Sequence, residues 1–328
     1  MAQVVLGFAS SHGPTIATVP EEWDRIVDRD KRDPRYNFDE LIRNASPSLA
    51  EEITPEKKRA RWEACQTAIG KVAGILAQAK PDVVVVVSNP HGILPDDTVP
   101  VFAVFRGSTM SDRPVARPAD PGGRQSQLAG PPPVQTSRPP RPPQQFPGYP
   151  PLADHLISSL IEEGFDVASS LELRPEHGLD EAFRTLYDHY EPNGTLPMVP
   201  LILSRYLPSQ ATPARCYALG GALRRAIESW DSEMRVALMA SGGLSHQIVD
   251  EELDHIVVNA LVEQDFDTLC SLPRDRLNGA PGTPEILNWI TVAGAMEPVG
   301  MTLVDYVPCY RSLAGTGHGV TFGYWNTP

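Results

Sequence analysis

Pro81-Asp82-Val83-Val84-Val85-Val86-Val87-Ser88-Asn89-Pro90-His91-Gly92 is the stretch from which the fold is read. Five consecutive valines, closed off by Pro-Asp before and Asn-Pro after, show no alternation of apolar and polar residues. A strand with no polar side has to be covered on both faces, which is how the strands of a helix-covered parallel sheet read. The residues upstream agree. Thr54 reads as an N-cap with Pro55 at the first helical position, and Ala60, Cys65, Ala68, Ile69, Val72, Ile75 and Leu76 recur at helical spacing. That spacing predicts an amphipathic helix of about six turns. A helix feeding such a strand is half of a βαβ unit.

Toward the N-terminus, Gln3, Val4, Val5 and Leu6 predict a strand that ends in Gly7-Phe8-Ala9-Ser10-Ser11-His12-Gly13-Pro14. His12 is thereby delivered to a sheet rim, where α/β proteins build their sites. Residues 15–53, polar and acidic, predict one short helix within a long surface excursion. Downstream, strands are expected at 99–105, 165–168, 198–203 and 236–239, and helices at 152–163, 179–187, 250–272 and from Pro213 and Pro284 onward. The helix from Pro284 reads as the last element, and Arg311 to His318 as a Gly-rich tail loop. The alternation predicts a single α/β domain over 1–328, a central mixed, largely parallel sheet with helices on both faces. There is no internal repeat.

From about 107 to 151 the composition turns to Pro, Arg, Gln, Ser and Gly, as in Arg138-Pro139-Pro140-Arg141-Pro142-Pro143. Proline removes hydrogen-bond donors, and few large apolar side chains are present to offset the entropy of ordering, so a solvated, disordered insertion is expected. The formal net charge of -13 argues against nucleic acid or an anionic membrane surface as partner, since both need clustered Lys and Arg. No apolar run reaches the ~20 residues of a membrane span, and the first residues lack signal-peptide order, so a cytoplasmic protein is expected. Cys65, Cys216, Cys270 and Cys309 lie far apart with no C-x-x-C pair, which predicts reduced thiols.

Four of the eight histidines, His12, His91, His177 and His246, fall at predicted strand exits or at a turn into a helix. Two imidazoles leave a divalent ion short of ligands, and Glu285, in the first turn of an otherwise apolar helix, is the carboxylate chosen to complete the set. The competing role for Glu285 is to complement the helix dipole. Two histidines and a carboxylate suit a non-haem Fe(II) enzyme with open positions; zinc-dependent hydrolysis is compatible with the same donors.

Ser11-His12-Gly13-Pro14, the apolar strand into His91, Glu176-His177-Gly178, Ser241-Gly242-Gly243-Leu244-Ser245-His246 and Glu285-Ile286-Leu287-Asn288-Trp289-Ile290 resemble the successive motifs of class III extradiol ring-cleavage dioxygenases. The likeness is to catalytic beta subunits of the protocatechuate 4,5-dioxygenase type and covers most of 1–106 and 151–328. It implies that His12, His91 and Glu285 hold Fe(II), that His177 does acid/base work, and that His246, with Ser245 and Gly243, lines the substrate pocket and offers hydrogen bonds. It further implies an aromatic diol and O2 as substrates, and a homo-oligomer or a small alpha-type partner subunit. A metal-free scaffold protein of the same fold is the alternative from another class. The chain departs from the family pattern at Pro90, where an acidic residue commonly precedes the second histidine.

Overall fold

A computed structural model describes residues 1–91, 93–94, 99–112, 144–173 and 178–327. Its strands, in chain order, are β1 (Gln3–Ser10), β2 (Val83–Ser88), β3 (Phe102–Phe105), β4 (Thr109–Ser111), β5 (Gln145–Pro147), β6 (Val167–Ser170), β7 (Met198–Leu203), β8 (Arg235–Ser241), β9 (His246–Ile248), β10 (Thr302–Tyr310) and β11 (Thr316–Asn326). Eight of them lie in the order β10-β11-β1-β8-β2-β7-β3-β6, with β9 added against β11. The four in the middle, β1, β8, β2 and β7, run parallel, and the antiparallel pairs stand outside them. This is the mixed α/β sheet that the valine run predicts.

β2 shows why. Val83, Val85 and Val87 enter the core on one face of the sheet, while Val84 and Val86 enter the core on the other. Each such side chain contributes roughly 1.5–3 kcal/mol by leaving water. The first face is covered by the helices Pro150–Glu162, Pro213–Ser229, Glu251–Glu263 and Ile286–Met296, the second by Pro55–Ala79. That last helix begins as the sequence predicts, the Thr54 side chain accepting from the Lys57 N–H. The helices Pro213–Ser229 and Ile286–Met296 cross almost backbone to backbone. A Cβ on Gly220 would stand 1.9 Å from the Thr291 carbonyl oxygen, and one on Gly294 would stand 2.2 Å from that of Tyr217.

Several expectations are corrected. Residues 15–53 hold the helices Trp23–Asp30, Phe38–Asn44 and Leu49–Glu52, and Trp23 and Ile26 are core residues. The predicted 250–272 helix breaks after Glu263, where Gln264 takes a left-handed conformation (φ 63°). Beyond Met296 the chain forms two long antiparallel strands, β10 and β11, and β11 pairs with β1. Glycines within β11 lower its strand propensity, which hides it from a reading by composition. The two ends of the Pro-rich stretch are built into the fold as well, since β4 pairs with β5 and buries Met110 and Phe146. Phe146 stacks on Tyr187 at 4.1 Å between ring centroids. The rest of that stretch, 113–143, lies outside the described residues.

The parallel core has one consequence for chemistry. β1, β8, β2 and β7 all point their carboxyl ends to the same rim, so the residues that follow them are brought together there. Those residues are Ser11-His12, Gly242 to His246, Asn89 to His91, and Ser204-Arg205.

Candidate metal centre

His12 leaves β1 with its ring 1% exposed. Its Nδ1 lies 3.0 Å from Ser241 Oγ, and that hydroxyl donates its only hydrogen to the Ala182 carbonyl. Ser241 must therefore accept from His12, which puts the proton on Nδ1 and the lone pair on Nε2. Nε2 is buried with no hydrogen-bond partner among the described residues, and it faces Glu285 Oε1 at 3.7 Å.

His91 follows β2 and is held from its other side. Its backbone N–H donates to Asp180 Oδ2 at 2.9 Å, as does that of Ile93 at 3.1 Å, while Asp180 Oδ1 caps the Glu181–Thr185 helix through the Ala182 N–H. Glu181 Oε1 stands 3.4 Å from Nδ1, leaving Nε2 to face Glu285 Oε1 at 3.1 Å. Burial and the Arg205 charge oppose protonation of this ring, but hydrogen bonds to Glu181 and Glu285 outweigh them and raise it to about 9. The surroundings thus favour positive charge at that point. Glu181 and Asp180 supply the orienting carboxylates that Pro90 cannot.

Glu285 arrives from the side, in a 3-10 turn (Thr283–Glu285) that runs into the Ile286–Met296 helix. The helix is buried all round and pinned to the strand ends: Asn288 Nδ2 donates to Asn89 Oδ1 and to the Ser241 carbonyl, and Trp289 Nε1 donates to the Gly242 carbonyl. Gly242, at φ 141°, leaves room that a side chain would take, since its Cβ would stand 2.9 Å from Glu285 Oε2. The carboxylate is fully buried, and its Oε2 accepts the Gly243 N–H at 2.9 Å. Burial alone would raise its pKa, yet the imidazoles of His246, His12 and His91 hold it well below the usual carboxylate range.

Among the described residues, His12, His91 and Glu285 each offer one ligand atom within 4.8 Å of the other two. Two imidazole nitrogens and one carboxylate oxygen, with His12 and Glu285 buried and His12 Nε2 unpartnered among the described residues, are a donor set that a divalent cation fits. In this sense the three predicted ligands are brought together.

The other predicted residues divide. His246 is beside the group, its Nδ1 buried, without a hydrogen-bond partner among the described residues, and 3.4 Å from Glu285 Oε2. Burial first, then His318, keep this ring well below the ordinary histidine range, so it is neutral. Ser245 is fully buried, its hydroxyl donates to Asp254 and accepts from the Asp250 N–H, and its own N–H also goes to Asp254. These bonds brace the turn. Gly243 gives its N–H to Glu285. His177 lies outside the described residues.

The sequence reading missed three groups. His318, on β11 in register with His246, packs its ring 4.0 Å from that residue and has a buried Nε2 with no partner among the described residues. Arg205, two residues beyond β7, places Nη1 3.1 Å from His91 Nε2 and 3.4 Å from Glu285 Oε1. Asp180 and Glu181 complete the list, and the Asp-Glu pair opening a predicted helix was the available signal for them.

Residues 45–318 match the family profile described as the catalytic LigB subunit of aromatic ring-opening dioxygenase. Over 161 residues the chain is 30% identical to a gallate dioxygenase of Pseudomonas putida, 46% of either protein. Over 97 residues it is 33% identical to a 2,3-dihydroxyphenylpropionate/2,3-dihydroxicinnamic acid 1,2-dioxygenase of Comamonas testosteroni, 29% of this chain and 28% of that one. The matches therefore span less than half the length of these curated relatives. Among solved structures, an uncharacterized protein of Escherichia coli K12 aligns over 97% of this chain and 99% of its own, at 14% identity and a TM-score of 0.48. His91, His246, Glu285 and His318 fall within the residues matched by the family profile, and His12 precedes them.

Proposed function

The chain belongs to the family of catalytic LigB subunits of aromatic ring-opening dioxygenases, and from that premise we propose that it opens the ring of a catechol-type diol with O2 at the His12–His91–Glu285 group, with Fe(II) as the resident ion. One observation carries the reading. His12 Nε2, buried and unpartnered among the described residues, points its lone pair at the same carboxylate oxygen that His91 Nε2 faces. A buried nitrogen of this kind is costly unless something binds it.

Fe(II) held there would supply a Lewis acid that acidifies the diol and a redox centre for chemistry with O2. The rest falls to the protein. Ser241 accepts from Nδ1 of His12 and Glu181 faces Nδ1 of His91, so both rings would turn their Nε2 to a bound cation. The Gly243 N–H restrains Oε2 of Glu285 and leaves Oε1 toward the two rings. His246, neutral and with an open Nδ1 beside the group, is the base for a diol proton and returns it later as an acid. His177 is the second acid/base residue in this reading, on the strength of the family resemblance, which also supports a homo-oligomer or a small alpha-type subunit as the assembly. The name of the gallate dioxygenase supports a gallate-like substrate, and the motif resemblance supports a protocatechuate-like one.

The test is an oxygen-electrode screen of protein reconstituted anaerobically with Fe(II), over protocatechuate, gallate, catechol and 2-aminophenol. Expected is O2 uptake matched to a yellow ring-opened product, lost in His12→Ala. Metal-loaded protein that consumes no O2 with any of these sinks the proposal; stoichiometric zinc with hydrolytic activity replaces it with the hydrolase, and no bound metal replaces it with the scaffold.

A further inference from the structure

We propose that Arg205 is the anchor for a negatively charged substituent, a carboxylate, on the aromatic diol, and so decides which diols this centre takes; the inference rests on the function proposed above. Arg205 stands at the strand-end rim, its side chain 11% exposed. Nη1 contacts His91 Nε2 and Glu285 Oε1. Nη2 donates to the Tyr206 hydroxyl at 2.8 Å, and Nε is buried without a partner among the described residues. Its backbone is braced too, the Arg205 carbonyl accepting from Gln210 Nε2, which is itself paired with Asn278.

A guanidinium does not lose its charge in a protein. The two atoms that Nη1 touches are the ones His91 and Glu285 would turn toward a cation, so a bound ion and these two contacts exclude each other. With the ion in place, Arg205 keeps its charge, its bond to Tyr206 and an Nε–H that lacks an acceptor among the described residues. Two cationic centres are then side by side with the single charge of Glu285 between them. Among the described residues the other nearby carboxylates, Asp180 and Glu181, are turned to the backbone and Nδ1 of His91. What satisfies the arrangement is a ligand that brings its own negative charge beyond the diol oxygens, and the planar fork of arginine matches a carboxylate.

The experiment is anaerobic calorimetry on Fe(II)-loaded protein, which reads binding without turnover, using 3,4-dihydroxybenzoate and 3,4-dihydroxybenzamide as probes of like shape and unlike charge. Arg205→Gln should hold Fe(II) at least as tightly as the parent, because a competitor for the ligand lone pairs is gone. It should lose at least about 30-fold in affinity for the benzoate and keep its affinity for the benzamide. Arg205→Lys, which retains charge without the fork, should fall between parent and Gln for the benzoate. Equal loss for both probes, no loss for either, or loss of iron in both variants overturns the proposal. If the parent itself takes up no Fe(II), or takes it up and binds neither probe, the function proposed for the centre fails first and carries this inference with it, and that outcome is seen in the parent before any variant is made.

Discussion

His91 Nε2 and Glu285 Oε1 stand 3.1 Å apart although 194 residues separate them in the chain. One hangs from the end of a central strand and the other from the first turn of a buried helix, and the contact exists because Asn288 ties that helix to Asn89 and Ser241.

Removing the charge of Glu285 tests the donor set. Glu285→Gln keeps the volume and one oxygen, but an amide is a poor ligand for a divalent ion, so metal affinity should fall by at least about 100-fold. Protein with metal at a hundred times Kd should be stabilised by about 2.7 kcal/mol. The variant should show no such rise in a thermal melt at the same concentration. An unchanged metal-induced shift would remove Glu285 from the set.

The carboxylates behind His91 should matter almost as much. Glu181→Gln takes the negative charge from the acceptor that faces His91 Nδ1 and should weaken metal binding by about 10–100-fold with little change in the metal-free melting temperature. Asp180→Ala should do more, because the N–H groups of His91, Ile93 and Ala182 all lose their acceptor. A stability loss of about 2–4 kcal/mol is expected from the lost cap and the unpaired donors. Titration calorimetry with denaturant melts on the same samples separates the two effects.

Gly220→Ala tests the helix crossing that delivers Glu285. The added methyl meets the Thr291 carbonyl oxygen and the Ala295 nitrogen, both backbone atoms that cannot swing aside. Destabilisation of about 3 kcal/mol or more is expected, since the whole crossing has to open. It should be read as a lower denaturant midpoint at constant slope, and a neutral result would mean that the helices are further apart than described.

Asp254 gives the fold a pH dependence away from the centre. Burial pushes its carboxyl up to about 6, against the hydrogen bonds it accepts from Ser245 and Tyr306. A folded-state value above the unfolded one means that the folded protein holds this proton more tightly. The contribution is complete below the unfolded value, near 4, and is lost as pH rises through about 6. Its size is about 3 kcal/mol. Comparing chemical denaturation of the parent with Asp254→Asn from pH 4 to 7 should show the parent losing ground to the variant over that window. Parallel curves would place the Asp254 titration elsewhere.

How much was legible follows from what each feature depends on. The helix over Pro55–Ala79, the strands β2, β7 and β8 and the histidines that follow β2 and β8 come from local rules, namely a cap, a proline and an unbroken apolar run. Glu285 was readable as one polar residue in an apolar turn. The terminal strands were not, because glycines in β11 blunt its pattern and its partner β1 lies at the far end of the chain. Ser245 and Gly243 stand in a small-residue turn, and the N–H groups of the two go to Asp254 and Glu285. A turn's sequence does not say which way its hydrogen bonds point.

By itself, then, the sequence determined the layered α/β plan and which residues would stand at the rim, because burial on two faces and strand termination are written in neighbouring residues. Only the tertiary structure decided that Glu181 orients His91, that His318 packs on His246, and that Arg205 reaches the ring of His91 and the carboxylate of Glu285. Those are distances between segments that never meet along the chain, and they are set by how helices and strands pack and not by any local preference.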